Sequence, residues 1–284
     1  MTSVSEMNSG NTITWCPGCG DFGILIALKG ALAKLGLPHE QTVVVSDIGC
    51  SGKLPHFMKT YGFEGIHGRT QPAATGIHLA NNTLNVVAVG GDGGGYGIGM
   101  GHFIHAMRRN LDYCYIVHDN EIYGLTVGQA SPTTKKGTKT KSTPNGTPEQ
   151  EVNPMMLALA AGATFVARGF SGDIPHLTDL ICQGMAHRGI ALIDVFQPCV
   201  TWRKDLPYEL YQKKIYKLDK EGHDPSSFES ALKRAQETER WPIGVFYKAE
   251  KPIYTDEIPF IKDSPLVKHD ISNVDISKFV EEFM

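Results

Sequence analysis

The sequence predicts an α/β protein, a mainly parallel, doubly wound sheet with helices on both faces and a C-terminal extension. Two observations carry this reading. Between Asp21 and Phe196, short apolar runs of strand length alternate with segments whose apolar residues recur at three- and four-residue steps. Several of the runs empty directly into loops rich in Gly, Cys, Asp and Asn, as strands do at the ligand-binding edge of such sheets. With 284 residues and 41% hydrophobic content, the chain is long and apolar enough for a sizeable core.

The elements follow in order. Asp21 is placed to cap a helix with apolar positions Phe22, Leu25, Leu28, Leu32 and Leu35, ended by Gly36 and Pro38. Residues 42–45 form a strand that runs into a loop over 46–54, and 72–81 a helix. Residues 86–89 are a buried strand, 97–109 a helix and 114–117 the next strand. Residues 131–150 break the pattern, being polar, rich in Thr and Pro, and carrying Lys135, Lys136, Lys139 and Lys141. That composition favours a mobile surface excursion over a lid that orders against a partner or an anion. A helix over 155–161, a strand over 165–167, a helix over 174–187 and a strand over 191–196 complete the alternation. The domain reading is therefore 1–205 as one ligand-binding domain. Residues 206–284 form an extension on that domain or on a partner subunit, with little strand signal apart from 241–247.

Composition excludes several classes. A net charge of −3 shows no polycationic footprint for nucleic acid. No apolar run approaches the ~20 residues of a membrane span. Residues 1–11 lack the basic start and apolar stretch of a signal peptide, so the cytoplasm is the expected compartment. The six cysteines then point to metal, cluster or catalytic use over disulfides. Cys16 and Cys19 form a C-x-x-C pair, and Cys50 and Cys199 each follow a predicted strand, whereas Cys114 and Cys182 sit in apolar periodic segments as core residues. Four thiolates suit a cubane iron–sulfur cluster, whose ligands come from distant loops. They suit a structural zinc less well, because zinc usually takes two paired knuckles and only one pair is present.

The strand over 86–89 leads into Gly90-Gly91-Asp92-Gly93-Gly94-Gly95, where glycines let backbone N–H groups approach phosphate oxygens. The strand over 114–117 leads into His118-Asp119-Asn120. Asp92 and Asn120, at two strand ends, offer oxygen ligands for a Mg²⁺ that takes its remaining ligands from a diphosphate and water. A glycine-rich turn and an unrelated asparagine are the plain alternative, which the strand context on both sides weighs against. Lys53 reads either as a cation near an anionic ligand or as a solvated side chain. His67 and Arg69 offer polar contacts to the same cleft, and His102, His105 and His118 are assigned no role.

Gly91-Asp92-Gly93 followed by Asn120 resembles the diphosphate motif of thiamine diphosphate enzymes, and the resemblance makes the backbone carbonyl of Ile122 the third Mg²⁺ ligand. With Trp15-Cys16-Pro17-Gly18-Cys19-Gly20, Ser46-Asp47-Ile48-Gly49-Cys50-Ser51-Gly52 and His67-Gly68-Arg69, in that order, the chain is similar to β subunits of 2-oxoacid:ferredoxin oxidoreductases from Trp15 to Cys199. The resemblance implies a thiamine diphosphate-binding fold and one [4Fe-4S] cluster on Cys16, Cys19, Cys50 and Cys199. It also implies thiamine diphosphate contacts from Ile48, Gly49, Cys50, Ser51, His67, Gly91, Gly93, Gly94, Tyr123, Gly124 and Leu125. The implied reaction is oxidative decarboxylation of a 2-oxoacid, with the acyl group passed to coenzyme A and electrons to ferredoxin. It implies an α or fused αγ subunit that supplies the carboxylate activating the thiamine, in an (αβ)2 assembly. Residues 124–129 and 141–144 look more like 2-oxoglutarate members than pyruvate members. Pyruvate or a branched 2-oxoacid is the alternative substrate, and a non-redox thiamine decarboxylase or synthase half and a zinc-stabilised interaction module are the rival classes.

Overall fold

The structure, a computed structural model, describes residues 3–284. Eight strands form one sheet in the order β2-β1-β3-β4-β6-β5-β8-β7. The strands are β1 (Thr42–Ser46), β2 (Tyr61–Glu64), β3 (Asn85–Gly91), β4 (Cys114–Asp119), β5 (Phe165–Phe170), β6 (Ala191–Phe196), β7 (Ile215–Lys217) and β8 (Trp241–Lys248). β1 to β6 run parallel to one another, and β8 enters antiparallel beside β5. The parallel, two-faced sheet expected from the alternation is thus present.

The central strands bury both faces, and period-two alternation assigns each side chain to one core. Val87 and Val89 of β3, Cys114 and Ile116 of β4, and Ala191 and Ile193 of β6 face α1 (Asp21–Lys34) and α5 (Ile174–Ala186). Val86, Ala88, Tyr115, Val117 and Leu192 face the opposite layer, formed by α2 (Thr70–Ala80), α3 (Met100–Arg109), α4 (Pro154–Ala160) and α7 (Phe228–Ala235). The chain leaves β1 toward β2 on one side and then returns to β3 on the other, so β1/β3 is the switch point where loops diverge and open a crevice.

Several elements differ from the sequence-based expectation for physical reasons. Asp21 does not cap α1, because Gly20 holds the cap position and the Asp21 carboxylate bonds to the side chains of Cys19 and His118. Residues 97–109 are α-helical only from Met100, since a short π-helical turn over Gly94–Ile98 is broken at Gly97. β2 escapes the pattern because all four of its residues are exposed on the sheet edge. The segment after Leu206 carries more regular structure than its composition signals, supplying α6 (Tyr208–Lys214), β7, α7 and β8 to the sheet and its covering helices. Residues 131–134 also differ from the expected surface excursion. Ser131, Thr133 and Thr134 are buried and hydrogen-bonded into the crevice. Among the described residues no helix is long and apolar enough to cross a membrane.

Candidate functional site: a two-chambered cofactor cleft

Two cavities open at the carboxyl ends of β1, β3, β4 and β6, sharing Cys50, Asn120, Gly124 and Leu125 in the wall between them. The larger, about 390 Å³, takes Ile48, Gly49, Cys50 and Ser51 from the loop after β1, and Gly91, Asp92, Gly93 and Gly94 from the loop after β3. Asn120, Ile122, Tyr123, Gly124 and Leu125 enter from the loop after β4, with His67 opposite. Every residue expected to touch thiamine diphosphate or Mg²⁺ lines this one space. Arg69 and Lys53 do not. Arg69 directs Nη1 to the His67 carbonyl at 3.4 Å, and Lys53 lies on the second cavity with Nζ 3.4 Å from Thr14 Oγ1.

The glycine turn is tight for a reason the sequence alone does not reveal. A methyl at Gly93 would lie 2.1 Å from the Tyr123 ring, and one at Gly94 would lie 2.0 Å from Asp47 Oδ2. The Tyr123 hydroxyl also donates to the Gly93 carbonyl at 3.1 Å, tying the β3 and β4 loops together. β3 and β4 are neighbours, with Gly91 opposite His118, so Asp92 and Asn120 come off adjacent strand ends. Asp92 is buried and pushed up to about 6 by loss of water, which hydrogen bonds from Ser131 and Thr133 oppose. Asn120 Oδ1 accepts from Ile122 N at 3.0 Å, which fixes the turn that would aim the Ile122 carbonyl. A carboxylate, an amide oxygen and a backbone carbonyl are the hard donors that Mg²⁺ prefers.

The second cavity, about 250 Å³, is lined by Cys16, Cys19, Cys50 and Cys199 together with Trp15, Lys53 and Trp202. A methyl at Gly124 would sit 3.6 Å from Cys50 Sγ and 3.8 Å from Cys199 Sγ, so both sulfurs face the wall shared with the larger cavity. Among the described residues no three His, Cys, Asp or Glu side chains converge as a mononuclear ion requires. Four cysteines spread around a chamber suit a multi-atom cluster better than a zinc ion. Burial pushes Cys50 up to about 12 and also raises Cys19 and Cys199, so only a bound cation would hold them as thiolates.

Residues not assigned from sequence hold the two chambers in place. Buried His118 lines the larger cavity, with Nδ1 2.6 Å from Asp21 Oδ1. Asp21 Oδ2 in turn accepts from Cys19 Sγ at 3.3 Å. Gln197 Nε2 donates to the same sulfur at 3.3 Å. Arg203, four residues after Cys199, bonds to the carbonyl and carboxylate of Glu121 at 3.0 Å each. A histidine ending an otherwise apolar strand, and a buried arginine just past a cysteine, were the available signals. Neither shows its partner until the chain is folded.

Asp47, inside the Ser46–Gly52 stretch, accepts from Gly68 N at 3.0 Å and packs against the glycine turn. Burial pushes its carboxyl up to about 7. Between the ordinary value of 3.8 and about 7 the folded chain holds a proton that the unfolded chain has lost, so stability falls as pH rises across that window. The slope approaches ~1.4 kcal/mol per pH unit for one proton. Urea unfolding of Asp47→Asn is expected to show a flatter stability profile between pH 4 and 7 than the parent, and an unchanged slope would refute the assignment.

This geometry defines a thiamine diphosphate-binding domain, and residues 47–195 match the family model for the thiamine pyrophosphate enzyme C-terminal TPP binding domain. Residues 199–263 match the model for the C-terminal part of the pyruvate ferredoxin oxidoreductase β chain. The 2-oxoacid:ferredoxin oxidoreductase subunit β of Saccharolobus solfataricus is 47% identical over 249 residues, covering 83% of this chain and 82% of that one. The 2-oxoglutarate oxidoreductase subunit KorB of Mycobacterium tuberculosis is 46% identical over 194 residues, covering 68% and 52%. Among solved structures, the 2-oxoglutarate:ferredoxin oxidoreductase of Magnetococcus marinus, with 2-oxoglutarate, coenzyme A and succinyl-CoA bound, superposes with a TM-score of 0.91. That match has 36% identity and covers 100% of this chain and 96% of that one. The chain belongs to the β subunits of the 2-oxoacid:ferredoxin oxidoreductases, as its motifs implied.

Proposed function

We propose that this chain is the β subunit of a 2-oxoglutarate:ferredoxin oxidoreductase, holding thiamine diphosphate through Mg²⁺ in the larger cavity and one [4Fe-4S] cluster in the smaller. The observation that carries this reading is the shared wall, where Cys50 and Gly124 border both chambers. Thiamine diphosphate supplies the electron sink for decarboxylation, and a cluster one wall away supplies a one-electron acceptor. Asp92, Asn120 and the Ile122 carbonyl hold the cation, and Gly93, Gly94 and Tyr123 shape the phosphate cradle. Asp92 is the one carboxylate lining the larger cavity among the described residues, and in this reading it would hold the metal. As the family resemblance implies, the carboxylate that activates the thiamine then comes from an α subunit, within an (αβ)2 assembly that passes electrons to ferredoxin and acyl groups to coenzyme A. The KorB relatives and the 2-oxoglutarate-bound neighbour favour 2-oxoglutarate. The family model matched over 199–263 carries pyruvate in its name and keeps that acid as the second reading.

The test uses the complex copurified under anaerobic conditions. It is expected to contain iron and acid-labile sulfide and to reduce a dye with coenzyme A and 2-oxoglutarate faster than with pyruvate. Two variants separate the chambers. Cys199→Ser is expected to lose most of the iron while binding thiamine diphosphate normally by calorimetry. Asp92→Ala is expected to keep its iron and lose thiamine diphosphate binding by more than ~100-fold, since even outer-shell changes cost 10–100-fold at metal sites. A complex free of iron, or one that reduces no dye with any 2-oxoacid, overturns the reading.

A further inference from the structure

The segment that looks most like exposed loop in sequence begins with two hydroxyls locked onto the cation ligand. Ser131 and Thr133 are 8% and 5% exposed, and both hydroxyls lie 2.6 Å from the same oxygen, Asp92 Oδ2, with the Thr133 hydroxyl bridging it to Asp119 Oδ1 at 2.8 Å. Neither hydroxyl touches Asp92 Oδ1, and in the cation reading that is the oxygen presented to the metal. Thr134 Oγ1 then donates to the Glu121 carbonyl at 2.7 Å, inside the Asn120–Ile122 turn. Three hydroxyls within four residues therefore grip both arms of the cation site at once.

We propose that Ser131 and Thr133 are positioning residues that fix Asp92 for its divalent cation, and that cation binding and the order of residues 131–150 stabilise each other. This rests on the reading of Asp92 as the cation ligand. A buried carboxylate has lost its water, and without donors it would turn or take a proton rather than present a charged oxygen. Two hydroxyls on one oxygen leave the other oriented, as outer-sphere donors do at metal sites generally. The hold extends along the segment. Val152 N donates to the Pro132 carbonyl at 2.8 Å, closing its base, and Lys141 N donates to the Gly128 carbonyl at 3.0 Å. Lys141 Nζ lies 4.7 Å from the Trp202 ring beside the cysteine chamber. If the fixed segment favours the bound cation, linkage requires the cation to favour the fixed segment by the same factor.

The experiment measures Mg²⁺-dependent thiamine diphosphate binding to the copurified complex by calorimetry, and trypsin cleavage at Lys136, Lys139 and Lys141 with and without both ligands. The Ser131→Ala/Thr133→Val double variant is expected to weaken the apparent Mg²⁺ affinity by ~10–100-fold. Cleavage should slow on ligand addition in the parent and stay unchanged in the double variant. Thr133→Ser, which keeps the hydroxyl, is expected to restore parent affinity and protection, a rescue that a merely space-filling Thr133 would not produce. Circular dichroism and thermal unfolding of the same samples verify folding. Equal Mg²⁺ affinity in parent and double variant, or ligand protection that survives the double change, overturns the inference. A parent complex that binds thiamine diphosphate without any divalent cation overturns the reading of Asp92 instead.

Discussion

Arg203→Ala is expected to destabilise the chain by about 3–5 kcal/mol, because it removes one partner of a buried charge pair and leaves the other behind. Arg203 is 3% exposed and Glu121 7%, and Arg203 Nη1 bonds to both the Glu121 carboxylate and its carbonyl. Glu121 has a left-handed backbone, φ 55°, so the turn between Asn120 and Ile122 depends on this clamp to hold a strained residue. The second partner, Asp205, takes Nε and Nη2 on its two oxygens, but its side chain is 55% exposed, so water can replace Arg203 there in a way it cannot at Glu121. Arg203→Lys keeps the charge but cannot place a fork on two oxygens, and is expected to lose less. The Arg203 amide also donates to the Cys199 carbonyl at 2.9 Å. One residue thus joins the Cys199 loop to the Asn120–Ile122 turn. Unlike Cys199→Ser, Arg203→Ala should lower iron content and thiamine diphosphate affinity together, read by iron assay, calorimetry and urea unfolding on one preparation. A stability loss under ~1 kcal/mol with both cofactors retained would remove Arg203 from this role.

The alternation of strands and helices, and the loops at the strand ends, were legible because both depend on local spacing. β3 and β4 announce themselves as apolar runs, and the residues after them, Asp92 and Asn120, can only emerge at the same sheet edge. Cys50 and Cys199 were legible as strand-end residues for the same reason, and the structure brings them with Cys16 and Cys19 to one chamber. What stayed hidden is long-range. Nothing near Asp21 in the sequence indicates a bond to His118 across the core, and Asp21 read locally is a helix cap. Nothing in a Thr-rich, Pro-rich stretch indicates that Thr133 is buried against Asp92. A polar residue is informative by its partner, and partners distant in sequence are supplied by topology. β7 was obscured differently. It is a three-residue edge strand that owes its place to β8, whereas β8, paired between β5 and β7, is the run over 241–247 that the sequence does show.

The same substitution at two helical glycines is expected to act with opposite sign. In α1, a methyl at Gly23 would meet the Ser171 carbonyl oxygen at 2.0 Å and its carbon at 2.9 Å. Both atoms are backbone, and Ser171 N is itself bonded to the Phe196 carbonyl at the end of β6, so no side chain can rotate out of the way. The helix must retreat by roughly 1.5 Å to reach ordinary contact. Overpacking of this kind costs ~1–3 kcal/mol, and an unyielding neighbour puts Gly23→Ala at the upper end. The helix gains about 1 kcal/mol from alanine over glycine, which does not close the gap, so a net loss near ~2 kcal/mol is expected. In α2, Gly76 is exposed and a methyl there meets nothing within 4 Å. Gly76→Ala should therefore show the helix gain alone, ~0.5–1 kcal/mol of added stability. Iron content separates the two further, since α1 begins two residues after Cys19 and carries Asp21 against its sulfur, whereas α2 touches neither chamber with Gly76. Urea midpoints that move in the same direction for both variants would mean that close backbone contact is not what requires glycine at position 23.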